Sequence, residues 1–300
     1  MISMFIGDNS FEIERQLLTI SDNFNGVVEK IDGAQLSIFN LPDILMGVSL
    51  FSTKRLIVVR GLSQNKIVWG DFGNWLDKVS DDIHLVLIES RVDKRTTTYK
   101  KLKEKAVVRE LQSFPEYDNN AVEKWLSSEA EKMGVSIDKK SVQFLVSRVG
   151  FDQWSLFHAL EKLALVDETS IVKITEIIEP SPQENVFNLF DTALKGDTKK
   201  LMQMMTVFRK SEDAYRLFGL LSSQVFQLAV MSSLDKDSNI SKDFSVPPFV
   251  ISKLRTFVSQ LGTRGVYRLL DLFVNADDDM KMSKADPWLL IEKTLLKIAP

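Results

Sequence analysis

Over the first 115 residues, short runs of aliphatic side chains alternate with longer segments in which apolar positions recur every three or four residues. Residues 2–6, 27–31, 56–60, 83–89 and 107–111 read as strands, and 11–20, 34–47, 68–79 and 97–105 read as helices between them. In Leu56-Ile57-Val58-Val59 and Leu85-Val86-Leu87-Ile88 every side chain is apolar, as strands buried on both faces require. Strand and helix in alternation predict a five-stranded parallel sheet covered by helices.

Past Pro115 the strand signal is lost. Helical periodicity over 119–133, 137–149 and 153–166, punctuated by Gly134 and Gly150, predicts a three-helix unit. A β-prone piece, 170–178, leads into Pro180-Ser181-Pro182, the strongest linker signal in the chain. Beyond it the helical period runs through 185–195, 198–209, 213–234, 248–261, 264–280 and 287–298. Gly196-Asp197 and Gly262-Thr263 each supply a helix stop followed by an N-cap. A chain of 300 residues exceeds what one hydrophobic core fills. The predicted organisation is an α/β domain over 1–117, a three-helix unit over 118–180 and an all-α domain over 181–300.

Charge narrows the functional classes. With 38 Lys and Arg against 41 Asp and Glu, the net charge of −3 excludes a basic coat for nucleic acid, so any such contact is local. Cysteine is absent, which removes disulfides, thiolate zinc sites and thiol nucleophiles together. No apolar run approaches the roughly 20 residues that span a bilayer, and the expected location is the cytoplasm.

An α/β domain that opens strand, Gly, helix invites comparison with a phosphate-binding loop. Setting Gly7 on the first glycine of G-x-x-x-x-G-K-[ST] puts Glu12 on the second glycine, Ile13 on the lysine and Glu14 on the magnesium-binding hydroxyl. Carboxylates at those places repel a triphosphate. The strand 56–59 ends in Arg60-Gly61 rather than in magnesium-binding acids, and Glu89, ending the next strand, is expected to be a solvated terminus. His158 with Glu161, and the run Asp277-Asp278-Asp279, are expected to be ordinary helix-surface groups. No cofactor, metal or catalytic residue is indicated.

Several stretches, in order, resemble the delta subunits of bacterial DNA polymerase III. They are FIGDNSFEIERQL (5–17), SLFSTKRLIVVRGL (49–62), DKRTTTYKKLKEKAVVRELQSF (93–114), VGFDQWSLFHALEKLAL (149–165) and ENVFNLFDTALKGDTKKLMQMM (184–205). The closing KADPWLLIEKTLLKIAP is similar to the family's last collar helix. The resemblance implies an AAA+-like α/β domain without a working nucleotide site, a small helical lid and a helical collar in a five-subunit ring. It also implies the partners: the beta sliding clamp, the gamma/tau and delta prime subunits, and primer-template DNA reached through the assembled loader. A sensor arginine shortly after Gly-Asp in the lid is missing here, where Gly150 precedes Phe151-Asp152-Gln153-Trp154, and the Ser-Arg-Cys finger of other loader subunits needs a cysteine this chain lacks.

By the same resemblance Leu50 and Phe51, just before the third strand, form the exposed pair that wedges into the clamp; the flanking Lys54 and Arg55 either pair with acids at the pocket rim as helpers or only keep this edge solvated. The competing reading makes both apolar residues core, closing a helix onto 56–59. The segment 91–105 carries seven basic and two acidic residues. It either faces DNA phosphates, with Lys94, Arg95, Lys100 and Lys101 as candidates, or is a solvated basic helix with only Tyr99 available for stacking. Collar contacts are expected from apolar faces such as Phe218, Leu221, Val225 and Leu228 on the long helix, with an intramolecular core as the competing claim on many of them. The rival to this whole reading is another degenerate AAA+ adaptor, serving helicase loading or recombination.

Overall fold

The computed structural model describes residues 1–47, 54–115, 118–233 and 248–298, excepting the side chains of 182–184 and 248–250. They fall into two compact units, Met1–Ser113 and Phe114–Pro300.

The first unit is a parallel sheet of β1 (Ile2–Ile6), β2 (Val27–Asp32), β3 (Arg55–Arg60), β4 (Ile83–Glu89) and β5 (Val107–Glu110), in the order β2-β3-β4-β1-β5. The register sets Ile57, Leu85 and Ile2 in one row across the three central strands. Those three are nearly continuously buried, whereas β2 alternates half-buried and exposed positions and β5 is mostly exposed. Hydrophobicity along each strand therefore follows its distance from the sheet edge.

Alternation of side chains divides the apolar interior in two. Met4, Ile6, Ile57, Val59, Leu85 and Leu87 meet Leu41 and Leu45 of α2 (Leu41–Met46), Trp69 and Phe72 of α3 (Lys66–Phe72), and Leu102 of α4 (Thr97–Lys105). On the other face Phe5, Leu56, Val58, Val86 and Ile88 pack on Ile13 and Leu17 of α1 (Ser10–Asp22).

Two expected helices are shorter than their periodicity. The segment 34–47 forms two 3-10 turns, Gly33–Gln35 and Ile38–Asn40, before α2. Leu36, between them, is extended (φ −66°, ψ 141°), and Pro42 suits only the first turn of a helix. The segment 68–79 stops at Phe72 and resumes as the 3-10 turn Leu76–Lys78, because Asp71 accepts hydrogen bonds from the side chains of Asn74 and Trp75.

The second unit is helical: α5 (Asn119–Lys132), α6 (Lys139–Val149), α7 (Gln153–Leu163), α8 (Ile171–Ile177), α9 (Pro182–Leu194), α10 (Thr198–Ser211), α11 (Ala214–Ser233), α12 (Pro248–Lys281) and α13 (Pro287–Leu296). Asp118, Asp138, Asp152, Asp197 and Asp286 cap their helices by accepting from a backbone N–H of the first turn. The expected break at 262 is present, with Gly262 at φ 64° and ψ 169° inside α12.

The β-prone piece 170–178 is a helix, which makes four helices where three were expected. Ser170 caps α8, Ile174 and Ile178 share its buried side, and Val172 faces out, which is helical rather than strand burial. One apolar cluster gathers α5 to α8 around Leu126, Leu145, Leu156 and Ile174, and another gathers α9 to α13 around Phe190, Leu221, Leu254 and Ile291. Phe218, Leu221, Val225 and Leu228 belong to the latter and are buried, so the expectation that they face a partner is corrected: the long helix turns them inward. No described helix is long and apolar enough to cross a membrane.

Candidate functional site

The turn joining β1 to α1, where a nucleotide loop would lie, is filled by the protein's own groups. Gly7 donates its N–H to the Glu89 carbonyl at 2.9 Å and adopts φ 146°. Asn9 accepts from the Glu12 N–H at 3.0 Å, capping α1, while its amide donates to the Gln112 carbonyl at 3.0 Å. Asp8 accepts from the Ser113 N–H at 2.8 Å, and that hydrogen bond holds its carboxyl below the usual range. Glu12, Ile13 and Glu14 already lie within the helix: Ile13 is core, Glu12 pairs with Arg15 at 3.7 Å and Glu14 with Arg60 at 2.5 Å. A three-residue turn that ends in an asparagine cap beside three carboxylates offers an anion little of the helix's positive end.

Glu89 is not the solvated terminus expected of it. Its side chain is buried, 1% exposed, and accepts from the Ser63 N–H at 3.1 Å and the Ser63 hydroxyl at 2.5 Å, tying the end of β4 to the turn after β3. Burial outweighs these hydrogen bonds and pushes its carboxyl above the ordinary 4.5. Ionisation therefore opposes folding: the cost is absent below the unfolded value and complete once pH has risen past the folded one. Glu89→Gln is expected to gain stability relative to the parent as pH rises from about 4 to about 7, read as the difference of their melting temperatures across that range. A pH-independent difference would contradict it.

Arg55 is the most heavily bonded of the expected helper residues. Its guanidinium makes a paired contact with Glu29 of β2, 2.7 Å to Oε1 and 2.9 Å to Oε2. Its remaining nitrogen, Nη1, donates to the carbonyls of Gly47 (2.7 Å) and Asp43 (3.0 Å) at the end of α2. The side-chain hydrogen bond to Glu29 raises the Arg55 pKa and, reciprocally, lowers that of Glu29. This clasp ties the C-terminus of α2 to the sheet edge. Arg55→Ala removes it and is expected to lower stability by roughly 2 kcal/mol, since Glu29 stays partly hydrated while four carbonyl and carboxylate bonds are lost. A urea melt checks this, and a change under about 0.5 kcal/mol would contradict it. Lys54, beside Arg55, is exposed. Leu50 and Phe51 lie outside the described residues.

Much of the basic segment is committed locally. Lys94 pairs with Glu110 at 2.6 Å, and Arg95 pairs with Asp93 at 2.9 Å, holding the Asp93 carboxyl down to about 2. Lys105 pairs with Asp77, and Lys101 donates to the Gly73 carbonyl at 3.3 Å and the Asn74 side chain at 3.0 Å, closing the end of α3. Arg91, Lys100 and Lys103 are exposed and carry no ion pair among the described residues. On the helical unit His158 pairs with Glu161 at 2.7 Å on the surface, and Asp277 and Asp279 pair with Lys281 and Lys284, so these are solvated helix faces. No group of acids and histidines able to hold a metal occurs among the described residues.

A five-stranded parallel sheet covered by helices, followed by an all-helical unit, defines the molecule as a mixed α/β protein with a helical C-terminal part. The family is narrower: residues 4–112 match the family described as "DNA polymerase III, delta subunit" and residues 183–298 match "DNA polymerase III delta subunit, C-terminal domain". The chain belongs to the delta-subunit family of DNA polymerase III. Among solved structures it is similar to the DNA clamp loader delta protein of Bacillus subtilis, with a TM-score of 0.65, 15% identity, and coverage of 99% of this chain and 94% of that one. At that identity the likeness is one of fold. The RuvB Holliday junction branch migration motor of Thermotoga maritima matches with a TM-score of 0.39 and 9% identity, over 87% of this chain and 80% of that one, too loosely to carry an argument. No curated protein sequence matches the chain.

Proposed function

We propose that this chain is a clamp-loader subunit that binds the sliding clamp and favours its open form during loading onto primed DNA, without hydrolysing ATP itself. The observation that carries the reading is the β1 to α1 turn of a delta-family chain, occupied by Asp8, Asn9 and the 111–113 backbone where phosphate would have to enter. A subunit so built acts by attachment. It opens a ring only if it binds the open ring more tightly than the closed one, since a ligand shifts an equilibrium by its differential affinity alone. Energy for the cycle then comes from ATP in partner subunits of the gamma/tau type, with delta prime completing the ring.

In this reading Leu50 and Phe51 are the clamp anchor. The helices of 118–180 act as a lid and those of 181–300 as a collar holding the ring together, joined near Pro180-Ser181-Pro182. Lys100 and the exposed Arg91 and Lys103 are the cations best placed to meet DNA phosphate in the assembled loader, because their neighbours Lys94, Arg95 and Lys101 have local partners. Two calorimetric titrations test the proposal on the full chain. The clamp of the same organism is expected to bind, and ATP with magnesium is expected to give no saturable heat. Saturable nucleotide binding, or a clamp that does not bind, would overturn it.

A further inference from the structure

Helices α5 to α8 and helices α9 to α13 bury separate apolar clusters, so the join between the two groups does not rest on a common core. The chain passes from one to the other through Pro180-Ser181-Pro182. Two of those three residues have no backbone N–H, and Ser181 has the only one. A link so poor in donors swivels unless groups outside it supply hydrogen bonds.

One side chain does much of this. Arg148, half-buried at the end of α6, donates from Nε to the Ile178 carbonyl at 2.6 Å and from Nη2 to the Thr175 carbonyl at 3.1 Å. Both acceptors stand at the C-terminus of α8. Carbonyls there lack partners within their own helix, and the helix dipole makes that end negative, so a guanidinium fork suits them. The Arg148 carbonyl in turn accepts the Ser181 N–H at 2.8 Å, the one donor the link possesses. From α9, Asn185 closes the other side: its N–H donates to the Ser181 carbonyl at 2.9 Å and its side-chain amide to the Pro180 carbonyl at 3.4 Å. Helix α6, which carries Arg148, packs against both α8 and α9.

We infer that Arg148 is a latch that makes this link a fixed splice instead of a hinge, so that helices α5 to α8 and α9 to α13 move as one body. A single residue holds the end of α8 with its side chain and the approach to α9 with its backbone. With the latch closed, a displacement applied at α10 or α11 is carried through to α5 to α8 and is not absorbed by bending at Ser181. The prolines that mark a linker in the sequence thus limit the backbone, and the arginine removes the freedom that is left.

Hydrogen exchange of the full chain, read by mass spectrometry on peptides covering 178–186, tests this with two variants. Arg148→Met keeps the aliphatic stem and removes the donors, and Arg148→Lys returns one charged group without the fork. In Arg148→Met the amides of Ser181 and Asn185 are expected to exchange roughly ten- to a hundredfold faster than in the parent, while those of α10 and α11 keep their parent rates. Arg148→Lys is expected to fall between the two. Parent-like exchange at Ser181 and Asn185 in Arg148→Met would overturn the inference. Equal acceleration through α5 to α13 would overturn it as well, because Arg148 would then serve the stability of the whole unit and not the link. If Arg148→Met does not fold, Arg148→Lys carries the comparison, and the same two results decide it.

Discussion

Leu50→Ala/Phe51→Ala is expected to weaken association with the sliding clamp by at least about a hundredfold while leaving thermal unfolding within about 2 °C of the parent. Aliphatic and aromatic anchors that fill a pocket on a partner each cost roughly 2–4 kcal/mol on truncation, and 1.4 kcal/mol is tenfold in affinity. The melting readout matters because the two readings of this pair differ in what the side chains touch. If they close a helix onto Leu56 to Val59, deletion leaves a cavity, and losing a buried Leu and Phe costs several kcal/mol of stability. If they face a partner, stability is indifferent to them. A strong fall in melting temperature with parent-like clamp affinity would remove them from the interface.

Gly7→Ala is expected to be the most damaging single substitution in the first unit, lowering stability by more than about 4 kcal/mol. A Cβ at this position would stand 1.8 Å from the Leu111 carbonyl oxygen and 2.5 Å from its carbon. Those atoms belong to backbone that also accepts the Asn9 N–H at 3.1 Å, so no side chain can swing aside to make room. The φ of 146° adds backbone strain of order 1–3 kcal/mol for any residue with a Cβ. Against a total stability of about 5–15 kcal/mol this is a large share. Urea unfolding monitored by tryptophan fluorescence reads it, and a loss below about 1 kcal/mol would contradict the account. Gly7 thus matters for close approach of chain to chain, where a nucleotide loop would use its glycine for close approach to phosphate.

What was legible in the sequence follows from the range of the forces involved. Strand β1, strand β4 and helix α4 lie where the pattern puts them, because continuous apolar runs and helical periodicity are local records of burial. The five parallel strands followed from alternation, but their order came only with the tertiary contacts. The piece 170–178 is rich in Ile and Val, yet its Ser170 cap and the spacing of Ile174 and Ile178 favour a helix once no neighbouring strand is offered.

At the site, the mismatches Glu12, Ile13 and Glu14 were readable because a phosphate loop demands particular residue types at fixed spacing. The Arg55–Glu29 clasp was not, since the partners lie 26 residues apart and meet only through the register of β2 on β3. Glu89 was misjudged for a related reason. Whether a strand-end acid is wet depends on what the following turns lay over it, and here Ser63 does so. Phe39, Pro42 and Met46, all exposed, lie inside the stretch 34–47 already read as helical, but which of its apolar positions the sheet covers is settled only by the packing of Leu41 and Leu45.

The central claim is that this chain works on the clamp by attachment rather than by burning nucleotide. Its most direct test follows the opening of the ring itself, using a donor and acceptor dye across one subunit interface of the clamp, with the purified chain added in the absence of any nucleotide. The account predicts that energy transfer falls saturably with the chain alone, that adding ATP and magnesium changes nothing, and that Leu50→Ala/Phe51→Ala abolishes the effect. A ring that stays closed until this chain is given ATP would contradict it.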